Sequence, residues 1–305
     1  MRILITGASG LLGLNLALEI SRRHKVFGTV HQHAVKTDAF TVIQTDLLAP
    51  GAVERLLDET QPDWVIHCAA LANLDACEAN PLLAQQLNTD LPRTLASYVA
   101  RGGARMIHVS TDSVFDGLRG DYTENDIAIP VGVYSRTKLD GERVVAAADP
   151  TAIIARVVIF GWSLAGNRSL AEFFYHNLSQ SKQVMGFTDV IFSPLLANDL
   201  ARIFIDMLER QLSGLYHVVS SDSLSKYDFG ISLAQRFKLD GRLIKPVSVA
   251  KSGLRANRSP NLSLRSDKLA KVLGKSLPTV STGLDELYTL YQQGFPQLLR
   301  SLQAK

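Results

Sequence analysis

Tyr134 and Lys138 stand one turn apart at the start of a predicted helix, so both project from one face. A phenol ionises near pH 10. An ammonium ~4.5 Å away, at an effective dielectric of ~20, would contribute about 3.7 kcal/mol and lower that ionisation by roughly 2.7 pH units. A phenol tuned in this way exchanges protons near neutrality. Thr111 lies 23 residues before Tyr134 and ends an apolar run in Ser110-Thr-Asp112, which places a hydroxyl at the carboxyl edge of a predicted strand. The expectation is a proton-transfer site made of Thr111, Tyr134 and Lys138. Taken alone, a Tyr-x-x-x-Lys spacing also occurs on solvated helices; its weight comes from what precedes it.

What precedes it is Thr6-Gly-Ala-Ser-Gly-Leu-Leu-Gly13, directly after the first apolar run and opening a helix. The first glycine permits a tight turn and the second lets backbone approach a pyrophosphate. The third allows close helix-to-strand packing, while the helix N-terminus offers free N–H groups to the anion. The pattern predicts a dinucleotide cofactor, NADP or NAD. A carboxylate at the end of the second strand would select NAD, and a basic residue there would accept the 2′-phosphate of NADP. That segment reads Gly28-Thr-Val-His31-Gln-His33, with no carboxylate and with His31, His33 and Lys36 within reach of a phosphate, so the reading leans to NADP. The same histidines also fit as solvated loop residues. Asp46-Leu47 follows the third strand and Cys68-Ala69-Ala70 ends the fourth, where small residues let a cofactor lie close. The expected cofactor-binding set is Gly7, Ser9, Gly10, Leu11, Leu12, His31, Asp46, Leu47, Ala69, Ala70 and Leu71, with Tyr134 and Lys138.

The elements that must position these residues follow the βαβ alternation of a parallel sheet covered on both faces. Strands are predicted over residues 2–6, 26–30, 41–44, 64–69, 105–110 and 152–160, and helices over 11–23, 53–59, 81–101 and 135–148. The strands are continuous apolar runs, as burial on both faces requires. Beyond residue 160 the alternation loosens into Ser-, Asn- and Gly-rich connections between shorter helices such as 226–237. The predicted architecture is a Rossmann-type doubly wound α/β domain over 1–160, to which 193–218 returns. A smaller C-terminal substrate domain is built from 161–192 and 219–305.

Composition narrows the partners. The chain has 305 residues, 46% hydrophobic and 20% charged, with 32 basic against 29 acidic side chains scattered along it. No charge footprint for nucleic acid or membrane is visible. Cys68 and Cys77 have neither CxxC spacing nor neighbouring histidines, so neither a disulfide framework nor a metal site is expected. With no apolar window near the ~20 residues of a membrane span, the expectation is a cytoplasmic protein, a homodimer being left open.

The glycine loop with Tyr134-Ser-Arg-Thr-Lys138 resembles the extended short-chain dehydrogenase/reductases. His108-Val-Ser-Thr-Asp-Ser-Val-Phe-Asp-Gly117, Tyr134-Ser-Arg-Thr-Lys-Leu-Asp-Gly-Glu142, and Asp75-Ala-Cys-Glu78 with Asn88 are similar to the dTDP-4-dehydrorhamnose reductase group. So are Gly214-Leu-Tyr-His217, Ser225-Lys-Tyr227 and the stretch 258–264, and the likeness covers nearly the whole chain. The resemblance implies reduction of a nucleotide-linked 4-keto-deoxysugar by NAD(P)H. Tyr134 would protonate the new alkoxide, Lys138 would tune it and hold the nicotinamide ribose, and Thr111 would orient the carbonyl. Asp112, Ser113, Trp162 and Arg258 lie where the resemblance places the sugar or nucleotide, and Ser113, Trp162 and Arg258-Ser-Pro260 depart from the group's pattern there. Trp162 fits better as a core or interface tryptophan, and Arg258 equally as an exposed one. Relatives in the superfamily include epimerases and dehydratases, and also a cofactor-binding regulatory subunit, the β subunit of methionine adenosyltransferase. A dehydratase would need a second carboxylate where Ser113 follows Asp112.

Overall fold

In a computed structural model that describes residues 1–251 and 260–303, the N-terminal half alternates strand and helix. The elements are β1 (Arg2–Thr6), α1 (Leu11–Ile20), β2 (Lys25–Val30), β3 (Thr41–Gln44), α2 (Ala52–Thr60), β4 (Trp64–His67), α3 (Leu74–Ala79), α4 (Pro81–Gln85), α5 (Leu91–Gly102), β5 (Arg105–Thr111) and α6 (Val133–Ala148). There follow β6 (Ile153–Val157), β7 (Ile159–Phe160), α7 (Leu170–Ser179), β8 (Val184–Phe187), β9 (Ile191–Phe192), β10 (Leu195–Leu196), α8 (Ala197–Glu209) and β11 (Gly214–Val218). The last stretch holds β12 (Leu224–Ser225), α9 (Lys226–Arg236), β13 (Ile244–Val247), α10 (Asp267–Leu273), α11 (Val280–Gln292) and α12 (Phe295–Ser301).

Seven strands form one parallel sheet in the order β11-β6-β5-β4-β1-β2-β3. The order reverses between β1 and β4, and the crevice at the carboxyl ends of those two strands is where doubly wound sheets bind ligands. Both faces are buried, which accounts for the uninterrupted apolar runs. One face packs Ile3, Ile5, Ile66, Ile107 and Ala155 against α1, α8 and α11 through Leu14, Leu16, Leu200, Phe204 and Leu284. The other packs Leu4, Val65, Met106 and Ile154 against α2, α5 and α6 through Leu56, Leu95 and Val145. Toward the carboxyl ends this second face turns polar: Thr6, His67 and His108 stand in register on β1, β4 and β5, and Ser110, Arg156 and His217 on β5, β6 and β11.

Two departures from the sequence expectation have local causes. The helix expected over 81–101 is broken by a π-turn at Gln86–Asp90. Pro92 has no N–H for the carbonyl of Asn88, four residues earlier, and the chain widens where that bond is missing. The strand expected over 152–160 leaves the sheet after Val157, because the Val158 carbonyl accepts from Leu195 N at 2.8 Å and Ile159–Phe160 pair with β10 instead.

Candidate active site

The glycine loop is built by close backbone approach. Gly7 adopts φ +71°, and a Cβ there would stand 3.0 Å from the Ala69 backbone. A Cβ on Gly13 would lie 2.3 Å from the Gly7 carbonyl oxygen, so a side chain at either position would force the turn apart. Helix α1 begins at Gly10 with no side-chain cap and no acidic residue in its first turn, leaving its N–H groups open toward the crevice. The buried Thr6 hydroxyl accepts from Cys68 N and Ala69 N, both at 3.1 Å, and donates to His67 Nδ1 at 2.8 Å. One hydroxyl thereby ties the ends of β1 and β4 across the switch point. This is a cradle shaped for a pyrophosphate, and the residues present fit a dinucleotide.

At the end of β5, Thr111 Oγ1 donates to Asp112 Oδ1 at 2.9 Å and accepts from Ser113 N at 3.2 Å. Ser113 Oγ donates to the same carboxyl oxygen at 3.3 Å. Tyr134 is the second residue of α6, and the Thr111 side chain is near enough to act on its phenol. Lys138 is 3% exposed, and its Nζ donates to the Val109 carbonyl at 2.6 Å. The three candidate catalytic residues therefore converge on the carboxyl edge of β5. Helix α6 is set by contacts from a distance. Glu78 Oε1 accepts from Val133 N at 2.8 Å at its first turn, where a carboxylate favours the positive end of the helix. Farther along, the Asn88 carbonyl freed by Pro92 lies 2.2 Å from where a Gly141 Cβ would be. The Asn88 side chain accepts from Leu71 N at 2.9 Å and donates at 3.1 Å to the Leu71 carbonyl and to Thr137 Oγ1.

Of the other expected residues, Ser9, Leu11, Leu47, Ala69, Ala70 and Leu71 are partly open, Leu12 is buried, and Gly10, His31 and Asp46 are exposed at the strand ends that frame the crevice. Asp46 Oδ1 accepts from Leu48 N at 2.9 Å, and the His31 carbonyl accepts from Gln44 Nε2 at 3.2 Å. Trp162 is a correction. It is 2% exposed, packed at 5.3 Å against Tyr175 and at 6.0 Å against Phe237 and Tyr291, with its indole N–H donating to the Leu287 carbonyl at 3.1 Å. It offers no face to a sugar and belongs to the core. Arg258 lies outside the described residues. Among the described residues no group of three or more His, Cys, Asp or Glu side chains is arranged to hold a metal, and no helix is long and apolar enough to cross a membrane.

The description of the RmlD substrate binding domain family matches residues 1–293. The chain belongs to that family. It is 32% identical over 293 residues to a probable low-salt glycan biosynthesis reductase, Agl14, of Haloferax volcanii, covering 94% of this chain and 97% of that protein. It is 31% identical over 307 residues to methionine adenosyltransferase 2 subunit beta of Mus musculus, covering 93% and 86%. In three dimensions it is similar to a dTDP-4-dehydrorhamnose reductase of Clostridium acetobutylicum, with a TM-score of 0.81 and 28% identity, over 96% of this chain and all of that one.

The electrostatics of this RmlD-family site differ from the sequence expectation. Lys138 does not draw the Tyr134 ionisation down. Burial pushes the phenol up to about 12, and the nearby Asp112 charge adds to that against the Thr111 hydrogen bond. Tyr134 is thus held protonated, the form that donates. Burial lowers Lys138 to about 8, with Glu142 opposing, and raises Asp112 against the hydrogen bonds of Thr111 and Ser113. His67 is lowered to about 3 by burial and by Lys138, and His108 also falls well below its usual range. The two rings, neutral and stacked at 5.5 Å, floor the site beneath Lys138. Thr6, His67 and Glu78 were not singled out as site residues from sequence. Only their register or their packing across elements brings them here, and Pro92 four residues after Asn88 was the one readable sign of the π-turn.

Proposed function

We propose that the protein reduces a nucleotide-linked 4-keto-deoxysugar with NADPH as the favoured reductant. The observation that carries this reading is the convergence of a protonated Tyr134, the Thr111 hydroxyl and the Lys138 ammonium at the edge of β5, beside a glycine cradle for a dinucleotide. The reductase relatives support it. When bound, the reduced nicotinamide supplies hydride to the sugar carbonyl carbon. The Thr111 hydroxyl, once it turns its proton from Asp112, and the Tyr134 phenol both donate to the carbonyl oxygen. Tyr134 gives its proton to that oxygen as charge develops. Lys138 would hold the nicotinamide ribose. Gly7, Ser9, Gly10, Leu11 and Leu12 would hold the pyrophosphate, with Asp46 and Leu47 beside the adenosine and Ala69, Ala70 and Leu71 along the cofactor's other side. His31 is assigned to the 2′-phosphate, since residues 31–36 contain no carboxylate to repel it. Residues 1–160 with 193–218 form the cofactor domain in this reading, and 161–192 with 219–305 the substrate domain. Asp112 and Ser113 are assigned to the sugar and Arg258 to a nucleotide phosphate, which a guanidinium matches bidentately.

A second reading is a cofactor-binding regulatory subunit without turnover, favoured by the likeness to methionine adenosyltransferase 2 subunit beta. Purified protein mixed with NADPH and dTDP-4-keto-6-deoxy sugars, with reduced-cofactor absorbance followed in time, separates the two. Turnover that Tyr134→Phe abolishes supports the reductase. NADPH binding with no candidate sugar consumed, and no change in cellular sugar chemistry on Tyr134→Phe, supports the subunit.

A further inference from the structure

A buried guanidinium joins the parts of this site that the catalytic reading leaves unconnected. Arg156, on β6 between Ser110 and His217, is 3% exposed. Its Nε donates to Glu142 Oε1 at 3.0 Å and its Nη2 to Oε2 at 2.8 Å, while Ser110 Oγ donates to Oε1 at 2.5 Å. Nη1 lies 3.4 Å from His217 Nε2. His217 Nδ1 stands 3.2 Å from the Arg265 carbonyl, which only accepts, so the ring proton sits on Nδ1 and Nε2 turns a lone pair to the guanidinium. The Arg156 guanidinium lies 5.0 Å over the Phe115 ring, which stacks on Tyr122 at 4.1 Å. Tyr122 in turn is bonded through its backbone to Ser263 and Arg265.

Three pieces meet on this one side chain. They are α6 one turn past Lys138, the end of β5 beside Thr111, and the loop that follows Thr111. A buried ion pair adds little net stability over an apolar filling of the same volume, so folding alone is a weak reason for it. Its relation to Lys138 is a stronger one. The groups facing Lys138 are Glu142 from its own helix, His67 and Cys68 from the end of β4, and His108 from β5. Burial keeps both histidines neutral and holds the Cys68 thiol protonated. Glu142 is therefore the charged member of the set.

The geometry points to Arg156 as a positioning residue: by engaging both oxygens of Glu142 it keeps that carboxylate from capturing the Lys138 ammonium, and it holds the Thr111 strand end against α6. This rests on the role given to Lys138 above. The test compares wild type with Ser110→Ala, Arg156→Lys and the double variant Glu142→Gln with Arg156→Met. It reads NADPH affinity by fluorescence from pH 6 to 10, kcat and KM for the keto sugar, and thermal unfolding. In Arg156→Lys, Glu142 is half released, so the alkaline loss of activity and of NADPH binding moves to higher pH. Its kcat falls ~10- to 100-fold, with KM for the sugar changed less than kcat. Ser110→Ala moves the same limb in the same direction by less. The double variant has no carboxylate there, and its limb falls below that of wild type. Unmoved limbs in all folded variants, with kcat tracking only the folded fraction, would overturn the proposal. If no sugar is reduced, the reductase reading fails by itself, and the pH dependence of NADPH binding still decides the role of Arg156.

Discussion

The backbone carbonyl of Asn88 lies 2.2 Å from the place a Cβ would occupy on Gly141, so α6 and the π-turn touch backbone to backbone. Gly141→Ala must push the two helices apart, at ~1–3 kcal/mol for overpacking. Thermal unfolding will show a fall in Tm of a few degrees. Gly102→Ala meets nothing within 4 Å and will leave Tm unchanged or slightly raised. Equal behaviour of the two variants would contradict the contact.

Tyr134→Phe keeps the ring and removes the proton. Turnover of the keto sugar falls by ~10²–10⁴, while NADPH titration shows nearly unchanged affinity. A variant that loses cofactor binding in parallel with turnover would make Tyr134 a binding residue instead.

Two pH effects follow from burial, with opposite signs. Lys138 is lowered to about 8, against an ordinary 10.5, so its ammonium is lost as pH rises through about 8, and steady-state rates should decline there. His67 and His217 are each lowered to about 3 from 6.5. Between pH 6.5 and 3 the unfolded chain takes up protons that the native state refuses, so stability falls on acidification. Denaturant titrations at pH 7, 5 and 4 would show the midpoint dropping; a flat profile would mean that the imidazoles are not held neutral.

The 2′ position is read by NADPH and NADH dissociation constants. NADPH should bind more tightly, and His31→Glu should weaken it about tenfold. A carboxylate ~6 Å from a phosphate charge at an effective dielectric of ~40 costs about 1.4 kcal/mol. NADH affinity should hold. A His31→Glu variant that still prefers NADPH by the same ratio would place the 2′-phosphate elsewhere.

Trp162→Ala should cost about 3–5 kcal/mol of stability, since the indole fills a core of Tyr175, Phe237 and Tyr291. Any folded protein should keep its KM for the sugar. A KM raised without loss of stability would restore Trp162 to the substrate site.

Local pattern was enough for much of this protein. Apolar runs without alternation announced a doubly buried parallel sheet, and the glycine spacing after β1 announced a close backbone turn. Tyr134 and Lys138 one turn apart had to share a face, because each of these rests on a period of a few residues. What the residues face across the fold was decided only in three dimensions. Whether Tyr134 feels Lys138 or its own burial, whether Trp162 meets a sugar or a core, and why Glu142 turns to Arg156 depend on strands and helices far apart in the chain. Desolvation and cross-strand register are not written in any local spacing. The site therefore departs from the sequence expectation in its protonation states and in its supporting contacts, while the gathering of Thr111, Tyr134 and Lys138 at the carboxyl edge of β5 was legible in their spacing along the chain.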